Sequence, residues 1–333
     1  MSESGVSEPG QSESSVSEPV QSESGVSEPG QSESSVSEPG QSASGVSDAG
    51  TGSKAQGGGG GASGSGGLPP LRAVIAAHGL DARHSLGQHF LLDANLTARI
   101  ARAAGDLTGR HVIEVGPGPG GLTRALLESG AEKIVAIELD RRAVGAIAEL
   151  AAGTNGRLTV LEADALRVDL PALVPAPRQV IANLPYNIAS PLLVRWLRQA
   201  REYERLTLMF QREVADRIAA APDTEAYGRL SVLAGWTCET HIAVRLPPTA
   251  FVPPPKVWSA VVVLTPHAVQ PDPVLFATME RLTAAAFGQR RKMLRGSLKG
   301  LGGEALLRRA DIAPERRAET LSVAEFDRLA RLL

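Results

Sequence analysis

The residues best suited to chemistry are four in a row, Asn183, Leu184, Pro185 and Tyr186, at the end of the apolar run QVIAN (179–183). An exocyclic amine on adenine has its lone pair drawn into the ring and is a poor nucleophile. A site can help by accepting the amine hydrogens, here through the Asn183 side-chain oxygen and a backbone carbonyl near Leu184. Pro185 fixes the loop, and Tyr186 offers a flat face on which an extruded base can stack. Such a reaction needs alignment more than acid and base groups, so neither a histidine dyad nor a metal cluster is required. Taken alone, Asn-Leu-Pro-Tyr also reads as an ordinary strand-ending turn, because Asn and Pro favour turns.

Further groups precede it at the ends of other β-like runs. Gly116, Gly118, Gly120 and Gly121 in EVGPGPGG follow HVIEV (111–115) and precede a helical pattern, where a tight turn brings backbone close to a ligand. The same letters satisfy GxGxxG, which favours a dinucleotide, and GxGxG, which favours S-adenosylmethionine. Glu138, 22 residues after Gly116, ends the next run and supplies a carboxylate for the ribose hydroxyls of either. Asp164 in EADAL either accepts from an adenine amine or caps the turn before Ala165 and Leu166. Glu114, inside the strand that feeds the loop, either holds loop amides or a ligand ammonium group, or pairs with an Arg. The glycine loop, Glu138, Asp164 and Asn183, in order on successive strands, favour methyl transfer over hydride transfer with NAD.

These residues need a scaffold, and the runs HVIEV, KIVAI (133–137), RLTVL (157–161), QVIAN and RLTLMF (205–210) alternate with helical patterns starting near Gly121, Arg141, Ala189 and Gln211. That alternation predicts an α/β fold with a doubly wound, Rossmann-like parallel sheet. WSAVVVL (258–264) adds a strand. Before the sheet, Leu71, Val74, Ile75 and His78 have helical spacing, and Asp93 opens a second stripe of Leu92, Leu96 and Ile100. After it, helices are predicted from Pro273 to Phe287, Gly303 to Ala310 and Ser322 to Leu333. Three regions result: a disordered tail and Gly-rich linker over 1–67, a sheet domain over 68–265 and a small helical domain over 266–333.

Charge divides the chain in the same place. The first 67 residues hold nine acids and one base, in a decapeptide repeat of the MSESGVSEPG type with too few apolar groups to fold. The remaining 266 hold 33 bases and 27 acids, a net of +6, and nearly all the large apolar residues. The single cysteine, Cys238, excludes an internal disulfide and a cysteine zinc site. No apolar run approaches the roughly 18 residues of a membrane helix, and the first residues lack a secretory pattern, so a soluble cytoplasmic protein is expected. From Arg281 to Arg317 there are ten bases and three acids, including Arg290, Arg291 and Lys292, which suits a phosphate backbone.

The segments LGQHFLLD (86–93), EVGPGPGGLT (114–123), AIELD (136–140), EADAL (162–166), IANLPYNIASPLL (181–193), FQREVADRI (210–218), YGRLSVL (227–233) and FVPPPKVWSAV (251–261) together resemble the ribosomal RNA adenine N6,N6-dimethyltransferases, especially the small-subunit branch. The likeness spans about residues 72–333. It implies a class I methyltransferase fold and S-adenosylmethionine as cofactor, contacted by His89, Leu91, Gly116, Glu138, Asp164 and Asn183. It also implies that Asn183 to Tyr186 hold the target base, which Tyr186 stacks. The implied substrate is a pair of adjacent adenosines in the hairpin near the 3′ end of 16S RNA in the assembling small subunit. A monomer without metal or membrane attachment is expected. The family usually has Asn where this chain has His89, and imidazole still offers one donor. Phe251 is either the second face of a base sandwich or a core aromatic ahead of a rigid proline loop. Two other functions fit: a 23S RNA adenine dimethylase of the macrolide-resistance type, and a non-catalytic assembly factor.

Overall fold

The computed structural model describes residues 67–80, 89–289 and 291–333, all within one compact unit, Gly64–Leu333. The predicted disordered tail and linker lie outside the described residues apart from Gly67, as do Leu86 to Gln88 of the LGQHFLLD segment and Arg290.

A seven-stranded sheet organises the rest. Five strands are parallel: β2 (His111–Val115), β3 (Lys133–Glu138), β4 (Leu158–Glu162), β5 (Arg178–Asn183) and β6 (Arg205–Gln211). Two more, β7 (Cys238–Leu246) and β9 (Ser259–Pro266), run antiparallel to their neighbours, and the order across the sheet is β4-β3-β2-β5-β6-β9-β7. The sheet is therefore mainly, not wholly, parallel. β2 lies between β3 and β5, so the chain winds outward from it in both directions and leaves a crevice where β2 and β5 end.

Both faces of the central strands are covered, which is why they read as unbroken apolar runs. Along β2, Val112 points into a cluster with Ile100, Leu122 and Leu126, and Ile113 into the opposite one with Leu192 and Trp196. The first face is covered by α2 (Ala94–Ala103) and α3 (Gly121–Leu127), the second by α5 (Tyr186–Leu197) and α7 (Arg229–Thr237). Helix α4 (Arg141–Ala152) joins β3 to β4, and α6 (Arg212–Ile218) follows β6. The second cluster continues into α8 (Pro273–Phe287) and α11 (Val323–Arg331), where Phe287 and Phe326 stack with centroids 5.7 Å apart.

The helix starts follow the caps. Asp93 Oδ1 accepts the amide of Asn95 at 2.8 Å to open α2, and Asp272 Oδ1 accepts that of Leu275 at 2.8 Å to open α8. Ser322 and Glu325 form a reciprocal capping box at α11. The described fold also differs from the sequence reading. Helix α5 starts at Tyr186, three residues before Ala189, because Pro185 takes the N-cap position with φ already at −57°. Strand β7 and helix α7 were not anticipated, nor was a ribbon of β1 (Phe90–Leu91) against β8 (Phe251–Val252). β7 alternates irregularly around a register shift between Ile242 and Val244, and two-residue strands carry no readable period.

Candidate active site

The crevice is a cavity of about 290 Å³ at the carboxyl ends of β2, β3 and β5. Its wall includes His89, Leu91, Gly116, Glu138, Asp164, Asn183, Leu184, Pro185 and Tyr186. Nine residues named from the sequence, scattered over almost a hundred positions, thus meet in one place.

The glycine loop is shaped by close packing. A Cβ on Gly121 would lie 2.5 Å from the Leu91 carbonyl oxygen, so only glycine lets α3 start against β1. Gly118 has φ +53°, and its amide donates to Glu138 Oε2 at 3.2 Å. The other oxygen, Glu138 Oε1, accepts the amides of Leu139 at 2.8 Å and Asp140 at 2.9 Å. Burial to 8% exposure pushes this carboxyl up from its ordinary pKa, against the opposing pull of those three amides. Glu138 therefore holds the loop as well as lining the cavity. Asp164 has two roles as well: its Oδ1 accepts the Leu166 amide at 2.9 Å, capping the turn, while the residue lines the cavity.

On the substrate side, Asn183 Nδ2 donates to the His89 carbonyl at 3.2 Å. That fixes the orientation of the amide and leaves Oδ1 as its acceptor. His89 Nδ1 lies 2.9 Å from the Pro253 carbonyl. A carbonyl can only accept, so Nδ1 carries the proton. The imidazole stacks on Tyr186, with centroids 5.5 Å apart and planes at 30°. The Tyr186 hydroxyl lies 2.6 Å from Ser259 Oγ, and burial raises the phenol pKa.

Phe251 is elsewhere. It is 2% exposed, packs with Leu91 and Val261, and meets the His89 ring in a T-shaped pair with centroids 6.5 Å apart and planes at 79°. Pairing with Leu91 in the short ribbon turns it inward, so it is the core aromatic of the two alternatives, and His89 is the ring that reaches the cavity. Ser259, which lies within the FVPPPKVWSAV and WSAVVVL segments but was given no role, is the polar contact that the sequence reading missed.

A scan against family models matches residues 79–333 to ribosomal RNA adenine dimethylase. The chain belongs to that family. It is 64% identical over 265 residues to Ribosomal RNA small subunit methyltransferase A of Gluconobacter oxydans (strain 621H), covering 80% of this chain and 88% of that one. Among solved structures, a dimethyladenosine transferase from Plasmodium falciparum superposes with a TM-score of 0.63 at 26% identity, over 72% of this chain and 96% of that chain. The 23S rRNA methyltransferase ErmE gives 0.56 at 27%, over 73% and 99%. Like them, this dimethylase-family chain has the α/β fold with a mainly parallel sheet. Among the described residues no cluster could hold a metal ion, and no helix is long and apolar enough to cross a membrane.

Neither a loop amide nor an Arg bonds to Glu114 among the described residues. It is fully buried on β2, and both carboxyl oxygens lack a hydrogen bond. Burial pushes its pKa up to about 8; the facing Thr123 hydroxyl, also without a bonded partner, works the other way, and Glu138 adds to the rise. A carboxyl raised on folding leaves the native state holding the proton that the unfolded chain releases, so stability falls as pH rises from about 4.5 to about 8. Glu114→Gln, which has no charge to suppress, should melt roughly 3 °C or more above wild type at pH 8 and level with it at pH 5. A calorimetric scan at the two pH values checks this, and equal Tm values at pH 8 would show that Glu114 is not strained.

The basic C-terminal segment stands apart from the cavity wall. Arg291 and Lys292 are exposed in the turn between α8 and α9 (Leu294–Ser297). Arg295, Arg308, Arg316 and Arg317 instead face Glu315, Glu304, Glu325 and Glu319.

Proposed function

We propose that this protein dimethylates N6 of two adjacent adenosines in the hairpin near the 3′ end of 16S RNA, using S-adenosylmethionine, as a cytoplasmic monomer acting on the assembling small subunit. The observation that carries the reading is the Asn183 amide, whose nitrogen is committed to the His89 carbonyl and whose oxygen remains to accept from an amine at the cavity. The high identity to a small-subunit methyltransferase supports the choice of RNA over the more distant likeness to ErmE.

The cavity suits the cofactor. The glycine loop brings Gly116 and Gly118 to the cavity wall, Glu138 offers a carboxylate for ribose hydroxyls, and Asp164 offers one for an adenine amine. Leu91, Ile137, Leu139 and Leu166 supply apolar wall. When bound, S-adenosylmethionine provides a methyl group on a positively charged sulfur. Asn183 Oδ1 and a carbonyl near Leu184 accept the target amine hydrogens, which favours a pyramidal nitrogen whose lone pair is withdrawn from conjugation with the ring and free to attack. Pro185 keeps the two acceptors in register, and Tyr186 holds the base plane. The proton then leaves to water.

Transfer of labelled methyl to separate small and large subunits lacking modification, read as digested nucleosides, tests this. Dimethyladenosine in 16S RNA alone is the expected result; label in 23S RNA would make this a resistance-type enzyme, and binding without label an assembly factor. Phosphate contacts by the C-terminal bases predict that changing Arg290, Arg291 and Lys292 together to Ala lowers RNA affinity about tenfold or more at 0.1 M salt and reduces the salt slope by about 2 to 3. An unchanged slope would remove that segment from the RNA surface.

A further inference from the structure

We propose that Ser259 is a positioning residue for the ring of Tyr186, a role that rests on the base-stacking function given to Tyr186 above. Ser259 opens β9 with no exposed surface, in register with Gln211 of β6 on one side and Leu246 of β7 on the other. Its hydroxyl lies 2.6 Å from the Tyr186 hydroxyl, on the first residue of α5. The contact thus ties the two antiparallel strands at one side of the sheet to the tyrosine on the cavity wall.

A tyrosine at the mouth of a cavity would ordinarily turn about its side-chain bonds. Here the far end of the ring is tethered to a buried hydroxyl and one face is stacked on His89. His89 is itself held by the Pro253 carbonyl. Pro253 and Ser259 bracket the proline-containing loop PPKVW (254–258), so one segment holds the ring from two directions. Asn183 lies only three residues before Tyr186 and is tied to the His89 main chain. The plane of the stacking ring and the direction of the acceptor are therefore set against the same frame, and alignment is the main demand of this reaction. Each hydroxyl also satisfies the other: without Tyr186, the Ser259 hydroxyl would be a buried polar group with no bond.

The experiment is a double-mutant cycle of Ser259→Ala, Tyr186→Phe and the two combined, each removing the same hydrogen bond while keeping the ring. Each single variant should lower kcat for unmodified small subunits about five- to tenfold, with the double variant no slower than the worse single. The Tm shift given by S-adenosylhomocysteine should not change, because the tether holds the base and not the cofactor. Wild-type kcat in Ser259→Ala, or losses that multiply in the double variant, would overturn the role. A hairpin RNA with 2-aminopurine at the target position reads stacking without turnover. The two single variants should alter its fluorescence equally, and wild-type fluorescence in both would also overturn it. Tyr186→Ala separates the two levels: full turnover there defeats the stacking function itself, whereas an inactive Tyr186→Ala beside a fully active Ser259→Ala defeats only the tether.

Discussion

Asn183→Ala should lower methyl transfer by roughly 10²–10³-fold while RNA affinity stays within about twofold of wild type. The size follows from what the side chain holds and what holds it. Asn183 ends β5, beside the crevice that opens where β2 and β5 part, and Nδ2 donates to the His89 carbonyl at 3.2 Å. Its oxygen is thereby aimed before any substrate arrives, and a hydrogen-bond acceptor already in place avoids the reorganisation that water would need. Ala removes both ends of that arrangement. Asn183→Asp is the sharper comparison. It keeps an acceptor but sets a carboxylate oxygen against the His89 carbonyl, so it should also be slow, and nearly as slow as Ala. Single-turnover rates with saturating RNA, alongside filter binding at fixed salt, measure the two quantities separately. If Asn183→Ala kept wild-type turnover, the amine-accepting role would be wrong; if it lost RNA binding as well, the residue would be holding the loop rather than the reaction.

The parts of the molecule legible in the sequence are those fixed by local physics. Buried parallel strands must be apolar on both faces, so HVIEV and QVIAN announce themselves, and capped helices announce their starts at Asp93 and Asp272. Gly116, Glu138, Asp164 and Asn183 were legible because each lies at or just beyond the end of a strand, and topology then brings strand ends together; His89 and Leu91 came only from the resemblance. What could not be read depends on contacts between distant segments. The β1–β8 ribbon joins residues more than 150 positions apart through two-residue strands; in it Phe251 packs into the core beside Leu91, while His89, just before β1, lines the cavity. The role of Ser259 is invisible for the same reason: it sits in a quoted segment and a predicted strand, but its hydroxyl has no assigned partner until α5 delivers Tyr186 to it. Glu114 was legible as an anomaly, and only the packed interior shows that no Arg among the described residues bonds to it.

Glu138→Gln should weaken S-adenosylhomocysteine binding about 10- to 100-fold at pH 7.5, the loss expected when charge-assisted hydrogen bonds become neutral ones. The side chain accepts from three backbone amides, using Oε2 for Gly118 and Oε1 for Leu139 and Asp140. An amide side chain has one accepting oxygen and must turn its own N–H groups toward either the glycine loop or the start of α4. The loop that shapes the cavity then loses its anchor, and the variant should also melt a few degrees lower. Wild type carries a further signature. Burial raises the Glu138 pKa above the ordinary carboxylate value, so the proton returns at a higher pH than for an exposed glutamate. Ribose hydroxyls donate to the charged form, so affinity is full above the raised pKa and falls as the pH drops through it. Titration calorimetry between pH 7.5 and 5 should show wild-type affinity falling with acidification and Glu138→Gln affinity nearly flat. Parallel curves for the two proteins would mean that the nucleoside is held by other groups and that Glu138 serves the loop alone.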